Sequence, residues 1–321
     1  MLIFGNVFFL IVLFFSIIST ALSSEICNKI EIPLKLDKFN IPYLTLIIDK
    51  REYKALFDLG SSYSIHIPKK DIKYFPQLKY TGDVEKTINI NGEINNNMLF
   101  YIPNMSIDCM SFENINGVDF QPWDVSIGSE AENEKLHEVV IGRGLFKDKL
   151  ITIDYIGKNL IVEDYKNKFE IDDLFLFPFK DEDEDEDEEE GEDEEEGITI
   201  SLKSKYKNYL MSLDTGASES IFVSSKVDPK EKIEHCDFDL GPKIDCKKIF
   251  YDFNIGGVNS FNVGNVANFK SDSILYPIDK RFKMDGLLGS DFFLSFIVKI
   301  NFPLGSMSLI KLEKDITLLK H

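Results

Sequence analysis

The stretch "MSLDTGASESIF", residues 211–222, sets an aspartate on a tight Asp-Thr-Gly turn directly after an apolar run. A second stretch, "ALFDLGSSYSIH", residues 55–66, has the same outline. With Asp58 aligned to Asp214, "YLTLIIDKREYKALFDLGSSYSIHI" runs against "TISLKSKYKNYLMSLDTGASESIFV" without a gap. Tyr53 then meets Tyr209, Gly60 meets Gly216, Ser62 meets Ser218 and Ile65 meets Ile221. Before each aspartate lies a β-rich run, a polar turn and another run, the pattern of two strands ending at a loop.

A second correspondence lies downstream. "VVIGRGLFKDKLITIDYIGKNLIV", residues 139–162, runs against "GLLGSDFFLSFIVKINFPLGSMSL", residues 286–309. Gly142 meets Gly289, Leu145-Phe146 meets Phe292-Phe293, and "ITIDY" meets "VKINF". Each block reads as two apolar residues and a Gly, a short helical piece, a strand, a Gly-containing turn and a closing strand. Between them, "MSIDCMSFENI" (105–115) and "FNIGGVNSFNV" (253–263) share a looser strand-turn-strand look. Two matches in the same order in each half point to a duplication. The expected organisation is two homologous β-rich lobes, residues 31–166 and 198–314, with little helix.

Residues 167–197 are expected to be an acidic, disordered linker. Within them, "DEDEDEDEEEGEDEEE", residues 181–196, holds 15 carboxylates and no base. Removing these from the net charge of −19 leaves −4, so the rest of the chain is only mildly acidic. Such a run repels itself and has no apolar surface to bury. It reads as a solvated linker or as a docking segment for a basic partner. No basic stripe offsets its field, which argues against nucleic acid as a partner.

The first 24 residues carry no charged side chain and end in small residues, with Ala21 and Ser23 in an A-x-S arrangement. They read as a secretory signal, or as an uncleaved membrane anchor because no Lys or Arg precedes the apolar run. Either way the body of the chain is expected outside the cytosol, secreted or in the secretory lumen. Four cysteines, Cys27, Cys109, Cys236 and Cys246, suggest disulfides there, with three connectivities open. The Gly-Pro between Cys236 and Cys246 suggests a turn that brings those two together. His235 with that pair makes a poor metal site, because no second ligand pair completes it. Asn104-Met105-Ser106 is a glycosylation sequon.

A lone Asp-Thr-Gly is commonly an Asx turn at a strand end. Two such loops related by a twofold axis do something else: they bring two carboxyl groups together at the axis. Like charges that close do not both ionise, so the pair holds one proton. The ionised member takes a proton from a water held between them. The protonated member polarises a carbonyl and later protonates the leaving amine. Gly216 allows the tight turn and the close approach of an N–H to the carboxylate. The Thr215 hydroxyl reaches the facing loop, and Ala217 and Ser218 leave room beside it.

On "DLGSS" (58–62), "DTGAS" (214–218), "VVIGRG" (139–144) and "GLLGSD" (286–291), the chain resembles the pepsin/retropepsin-type aspartic proteases. "VVIGRGLF" is closest to the retroviral form, so the chain looks like a fused pair of retropepsin-like lobes. The resemblance implies an all-β, bilobal pepsin-like fold with two β-barrel-like lobes and a central cleft. It implies an endopeptidase acting on an extended polypeptide, monomeric, with no cofactor and no metal. Asp58 and Asp214 take the dyad positions. Gly60, Ser61, Ser62, Thr215, Gly216, Ala217 and Ser218 support them.

The chain departs from that pattern at Leu59, where the family carries a Thr or Ser whose hydroxyl joins a reciprocal pair of loop-to-loop hydrogen bonds. Thr215 still reaches the opposite backbone, so half of the arrangement is expected to survive. Leu59 also keeps open the alternative of a non-catalytic protein that binds peptide in the same cleft. "TININGEINNNMLFYI", residues 87–102, carries an Asn-Gly turn signal and reads as a hairpin at the position of the family's flap, without a tyrosine at its tip. No long basic prosegment is expected before the first repeat strand. No Ser or Cys nucleophile pairs with His66 or His137 at a known spacing; His66 reads as a packed or edge histidine, and Trp123 as a packing residue or one lining the cleft.

Overall fold

A computed structural model describes residues 27–48, 50–88, 94–120, 139–165, 177–178, 197–236, 247–256, 268–276 and 283–312. The first half carries β1 (Lys29–Leu36), β2 (Pro42–Ile48), β3 (Arg51–Asp58), β4 (Ile65–Pro68), β5 (Lys79–Ile88), β6 (Ile94–Ile107), β7 (Met110–Phe120), β8 (Val139–Gly142), β9 (Lys149–Asp154) and β10 (Asn159–Asp164). A two-residue strand, β11 (Phe177–Pro178), follows. The second half carries β12 (Thr199–Lys203), β13 (Asn208–Leu213), β14 (Ile221–Val223), β15 (Ile233–His235), β16 (Lys247–Gly256), β17 (Asn268–Tyr276), β18 (Gly286–Leu288), the one-turn helix α1 (Ser290–Phe293), β19 (Phe296–Asn301) and β20 (Ser306–Lys311). The described residues are predominantly β, as expected.

Local pattern explains these strands. In β1, "KIEIPLKL", Ile30, Ile32 and Leu34 are buried while Lys29, Glu31 and Lys35 are exposed, the period-two alternation of a half-buried strand. In β8, "VVIG", all four residues are buried. That strand lies between β3, to which it is parallel, and β4, to which it is antiparallel, and a strand covered on both faces needs no polar side.

The strands form two sheets, and one pairing scheme occurs twice. Part of the larger sheet runs β2-β3-β8-β4-β7-β6-β5, with β2 also pairing β6. The smaller sheet runs β12-β13-β18-β14-β17-β16-β15, with β12 also pairing β16. Strand for strand, the second order repeats the first. The rest of the larger sheet, β11-β20-β19-β9-β10-β1, draws strands from both halves. At its centre β9 and β19 pair antiparallel, with Val298 opposite Ile153, Lys299 opposite Thr152 and Ile300 opposite Ile151. Thr152 and Lys299 are equivalent in the downstream alignment and directly face each other, as they must if a local twofold passes between them. The following turns also match: Lys158 and Gly305 are equivalent, and both are left-handed, with φ of 57° and 53°.

Phe177–Pro178 lies inside the segment expected to be linker, yet it pairs with Met307 and Ser306 at the edge of that shared sheet. The acidic run itself, residues 181–196, lies outside the described residues, as do the apolar N-terminal segment, His137 and Trp123. No helix among the described residues is long and apolar enough to cross a membrane.

Aromatic rings fill the core around the turns that follow β8 and β18. Phe146 stands edge-on to Phe57 and Phe112. In the second half Phe292 contacts Phe269, Phe293 and Phe296. Tyr155 of the first half stacks on Phe293 of the second, with centroids 5.3 Å apart.

Cys27 and Cys109 form a disulfide that ties the chain ahead of β1 to the β6–β7 turn, closing a separation of 82 residues. Cys236 is also disulfide-bonded, and Cys246 lies outside the described residues. By loop-closure entropy, replacing both Cys27 and Cys109 with Ser costs roughly 4 kcal/mol of stability. Chemical denaturation of the double variant is expected to show that loss as a lower midpoint.

Candidate active site

Asp58 closes β3, and Asp214 follows β13. Beside each aspartate runs the short strand that begins an apolar-apolar-Gly block, parallel in both cases: Phe57 opposite Ile141, and Leu213 opposite Leu288. The Asp214 N–H donates to Leu288 O at 3.0 Å. The aspartates are thus carried on strands that the crossing block holds from one side.

The two turns match atom for atom. Gly60 N–H donates to Asp58 Oδ1 at 2.9 Å, and Gly216 N–H to Asp214 Oδ1 at 2.8 Å. Ser61 N–H donates to Asp58 O at 3.4 Å, and Ala217 N–H to Asp214 O at 3.3 Å. Each glycine faces both carboxyl groups. A Cβ at Gly60 would stand 3.1 Å from Asp214 Cγ and 3.0 Å from Asp58 Oδ1. One at Gly216 would stand 3.1 Å from both Asp58 Cγ and Asp214 Oδ1. The two carboxyl groups, distant in sequence, lie together.

Burial raises the proton affinity of both carboxyls, and for Asp214 the neighbouring Asp58 charge raises it further. The glycine N–H groups act the other way, favouring the charged forms. For Asp58, the Arg143 guanidinium also favours the charged form. The balance leaves Asp214 well above the ordinary carboxylate value, the behaviour of a pair that holds one proton. Tyr155 lies within the field of both aspartates, and burial with their charge keeps its phenol neutral.

One hydroxyl joins the loops. Thr215 Oγ1 donates to Phe57 O at 2.7 Å and accepts from Leu59 N–H at 2.9 Å. Thr215 and Leu59 are both fully buried. Leu59 has no polar atom to return the bond, so half of the reciprocal arrangement is present, as the sequence suggests. The leucine side chain instead joins the apolar core.

The crossing glycines sit under the loops. A Cβ at Gly142 would fall 2.1 Å from Tyr63 O, and one at Gly289 would fall 2.5 Å from Glu219 O. Only a residue without a side chain allows backbones to pass that closely. Ser64 and Ser220, equivalent in the first alignment, each use their N–H and Oγ on one oxygen: Asn116 Oδ1 at 3.1 and 2.6 Å, and Asp291 Oδ1 at 2.7 and 2.6 Å. The sequence carries no signal for these anchors, since the acceptors come from different elements.

Among the supporting residues, Ser61 turns its hydroxyl to His66 Nε2 at 2.5 Å. Ser62 O packs against Gly144, Ala217 O accepts from Ser290 N–H and Oγ, and Ser218 is exposed at the turn. His66 is packed, as expected, edge-on to Tyr63 and Phe120, and it also meets the Ser61 hydroxyl. Burial lowers its proton affinity from 6.5 to about 4, so it is neutral at mildly acidic pH. The folded state then binds this proton less readily than the unfolded chain does. Stability is complete above pH 6.5 and falls as pH drops toward 4, by at most about 3 kcal/mol. A His66→Gln variant is expected to lack that slope when unfolding is followed across the same window.

The hairpin expected over residues 87–102 is present at its base: Thr87 pairs with Asn95 and Ile88 with Ile94. Its Asn-Gly turn lies outside the described residues. A bulge between Tyr80 and Val84, with Gly82 at φ 99°, bends β5. Tyr101 lies far from the turn, with its hydroxyl on Asn114 Oδ1. Among the described residues no group of three His, Cys, Asp or Glu side chains is arranged to hold a metal ion.

No family model matches this chain, and no curated protein matches it.

Proposed function

We propose that the chain is an aspartic endopeptidase in which Asp58 and Asp214 share one proton and activate a water between them. The observation that carries the reading is the meeting of the two carboxyls over matched Asp-x-Gly turns, each glycine against both of them. The ionised carboxylate takes a proton from the water, whose oxygen bonds to the carbonyl carbon of the scissile peptide. The partner's proton passes to the carbonyl oxygen, giving a tetrahedral diol. On collapse one diol hydroxyl gives its proton to the ionised carboxylate as the carbonyl re-forms, the C–N bond breaks, and the nitrogen leaves with the proton held by the other carboxyl, which restores the one-proton pair. Water is the nucleophile throughout, and atoms and charge balance without a covalent enzyme intermediate.

In this reading the molecule is bilobal and pepsin-like. The recurring seven-strand order defines each lobe, the strands shared by both halves join them, and the substrate is an extended polypeptide bound across the cleft between them. The Cys27–Cys109 disulfide supports a secreted or secretory-lumen location. The protein works as a monomer, since both aspartates come from one chain.

A second reading rests on Leu59: a peptide-binding protein on the same frame that does not cut. A pH-scanned digestion of a peptide library with wild type and Asp214→Asn side by side separates the two. The enzyme cleaves best at mildly acidic pH, and the variant does not. Peptide binding without cleavage at any pH from acid to neutral establishes the binding protein instead.

A further inference from the structure

The two aspartate loops are alike above the carboxyls and unlike beneath them. Under the first loop lies Arg143, 1 % exposed and among the largest fully buried side chains. Its backbone N–H donates to Ser61 O at 2.9 Å. Its Nη1 donates to Gly60 O at 3.1 Å and makes a longer contact to Leu59 O at 3.5 Å. One residue thus holds three consecutive carbonyls of the loop that carries Asp58. Nη1 also lies 3.9 Å from where a Cβ would stand on Gly197, at the start of the second half.

The equivalent residue under the second loop is Ser290. Its N–H and Oγ both go to a single loop carbonyl, Ala217 O, at 3.0 and 3.1 Å, and Oγ also reaches Asn40 O at 2.7 Å. It brings no charge. The loop gripped by the guanidinium is the one whose second residue is Leu59, which has no hydroxyl to hold the loops together. The loop with Thr215 has that hydroxyl and does without the cation.

We infer that Arg143 is a positioning residue that braces the first aspartate loop in place of the hydroxyl absent at position 59 and assigns the negative charge of the pair to Asp58. The inference rests on the dyad reading and deepens it: Asp58 becomes the base toward water, and Asp214 becomes the proton donor to the carbonyl. A buried guanidinium gives charge-assisted hydrogen bonds to carbonyls, which are stronger than those of a neutral hydroxyl. In a low-dielectric interior its charge acts most on the nearer carboxylate. The groups facing the pair are consistent with this. Arg143 favours the charged form of Asp58, and the residue in the equivalent place under the second loop is the uncharged Ser290. Tyr155 is neutral beside both, and His66, reached through Ser61, is neutral above about pH 4.

The test is a cycle of Leu59→Thr and Arg143→Met, read by kcat, KM and site-resolved carboxyl ¹³C titration of aspartate-labelled protein. Arg143→Met is expected to lower kcat by about 10²-fold with KM changed by less than about threefold, the signature of lost positioning. Leu59→Thr is expected to restore at least about tenfold in the Arg143→Met background and to change wild type by about threefold or less. In the titration, Asp58 ionises first in wild type, and Arg143→Met brings the two carboxyls toward equivalence. If Arg143→Met does not fold, Arg143→Lys serves: it keeps the charge and the order of ionisation but does not span the carbonyls, so kcat falls.

Equal effects of Leu59→Thr in both backgrounds, or a titration indifferent to Arg143→Met, overturn the inference. If wild type and Leu59→Thr cut nothing while the carboxyl titration still follows Arg143, the endopeptidase reading fails and the bracing role stands.

Discussion

Asp214→Asn is expected to abolish cleavage, with kcat down by about 10⁴-fold or more, while making the protein more stable at neutral pH. Both effects come from the same proton. Asp214 holds its proton well above the ordinary value of 3.8 because it is buried and faces Asp58. The folded state therefore binds this proton more readily than the unfolded chain does. The associated stability is complete below pH 3.8 and is lost as pH rises through the raised value toward neutrality. Asparagine does not ionise, so the variant keeps what wild type loses. The melting-temperature gap between variant and wild type should be small near pH 3.8 and widen toward pH 7. A destabilised variant at neutral pH, or residual activity within about tenfold of wild type, contradicts the shared proton.

Thr215→Val is the second large effect. Valine matches threonine in shape and removes only the hydroxyl. That hydroxyl donates to Phe57 O and accepts from Leu59 N–H, and it is fully buried. Its loss leaves a buried carbonyl and a buried N–H without their partner, at a cost of roughly 2–5 kcal/mol. Because Leu59 offers no reciprocal bond, no hydroxyl from the other loop takes over. The loops drift, and a displacement of about 1 Å between reacting groups costs about 10²-fold in rate. Denaturation midpoints and kcat of folded protein measure the two losses separately. A Thr215→Val variant as stable and active as wild type would show that the loops are held by something other than this bond.

Much of the frame is legible in the sequence because a duplication prints the same physical requirement twice. Asp58 and Asp214, aligned from a dozen residues each, do meet. Thr152 and Lys299, matched only by alignment, face each other across β9 and β19. Gly142 and Gly289 read as paired glycines because the same backbone crossing forbids a side chain at both. A single motif would have carried none of this weight.

The features that differ between the halves are the ones the sequence conceals. Arg143 reads as part of an apolar-Gly block, and only its position under Leu59, Gly60 and Ser61 reveals its grip. His66 sits on a short strand of apolar residues and reads as filler until Ser61 turns toward it. Cys27 could pair with any of three partners by sequence, because the β6–β7 turn that offers Cys109 is placed by long-range strand pairing. Phe177–Pro178 is too short for any periodic signal, and its strand character comes from the edge of β20. Each of these depends on contacts between residues remote along the chain, where local propensity is silent.

Neutron diffraction from deuterium-exchanged crystals grown at mildly acidic pH locates the hydrogen on which all of this turns. The expected map shows one deuteron between the Asp58 and Asp214 carboxyls. Two bare carboxylates, or two fully protonated acids turned to separate partners, would contradict it.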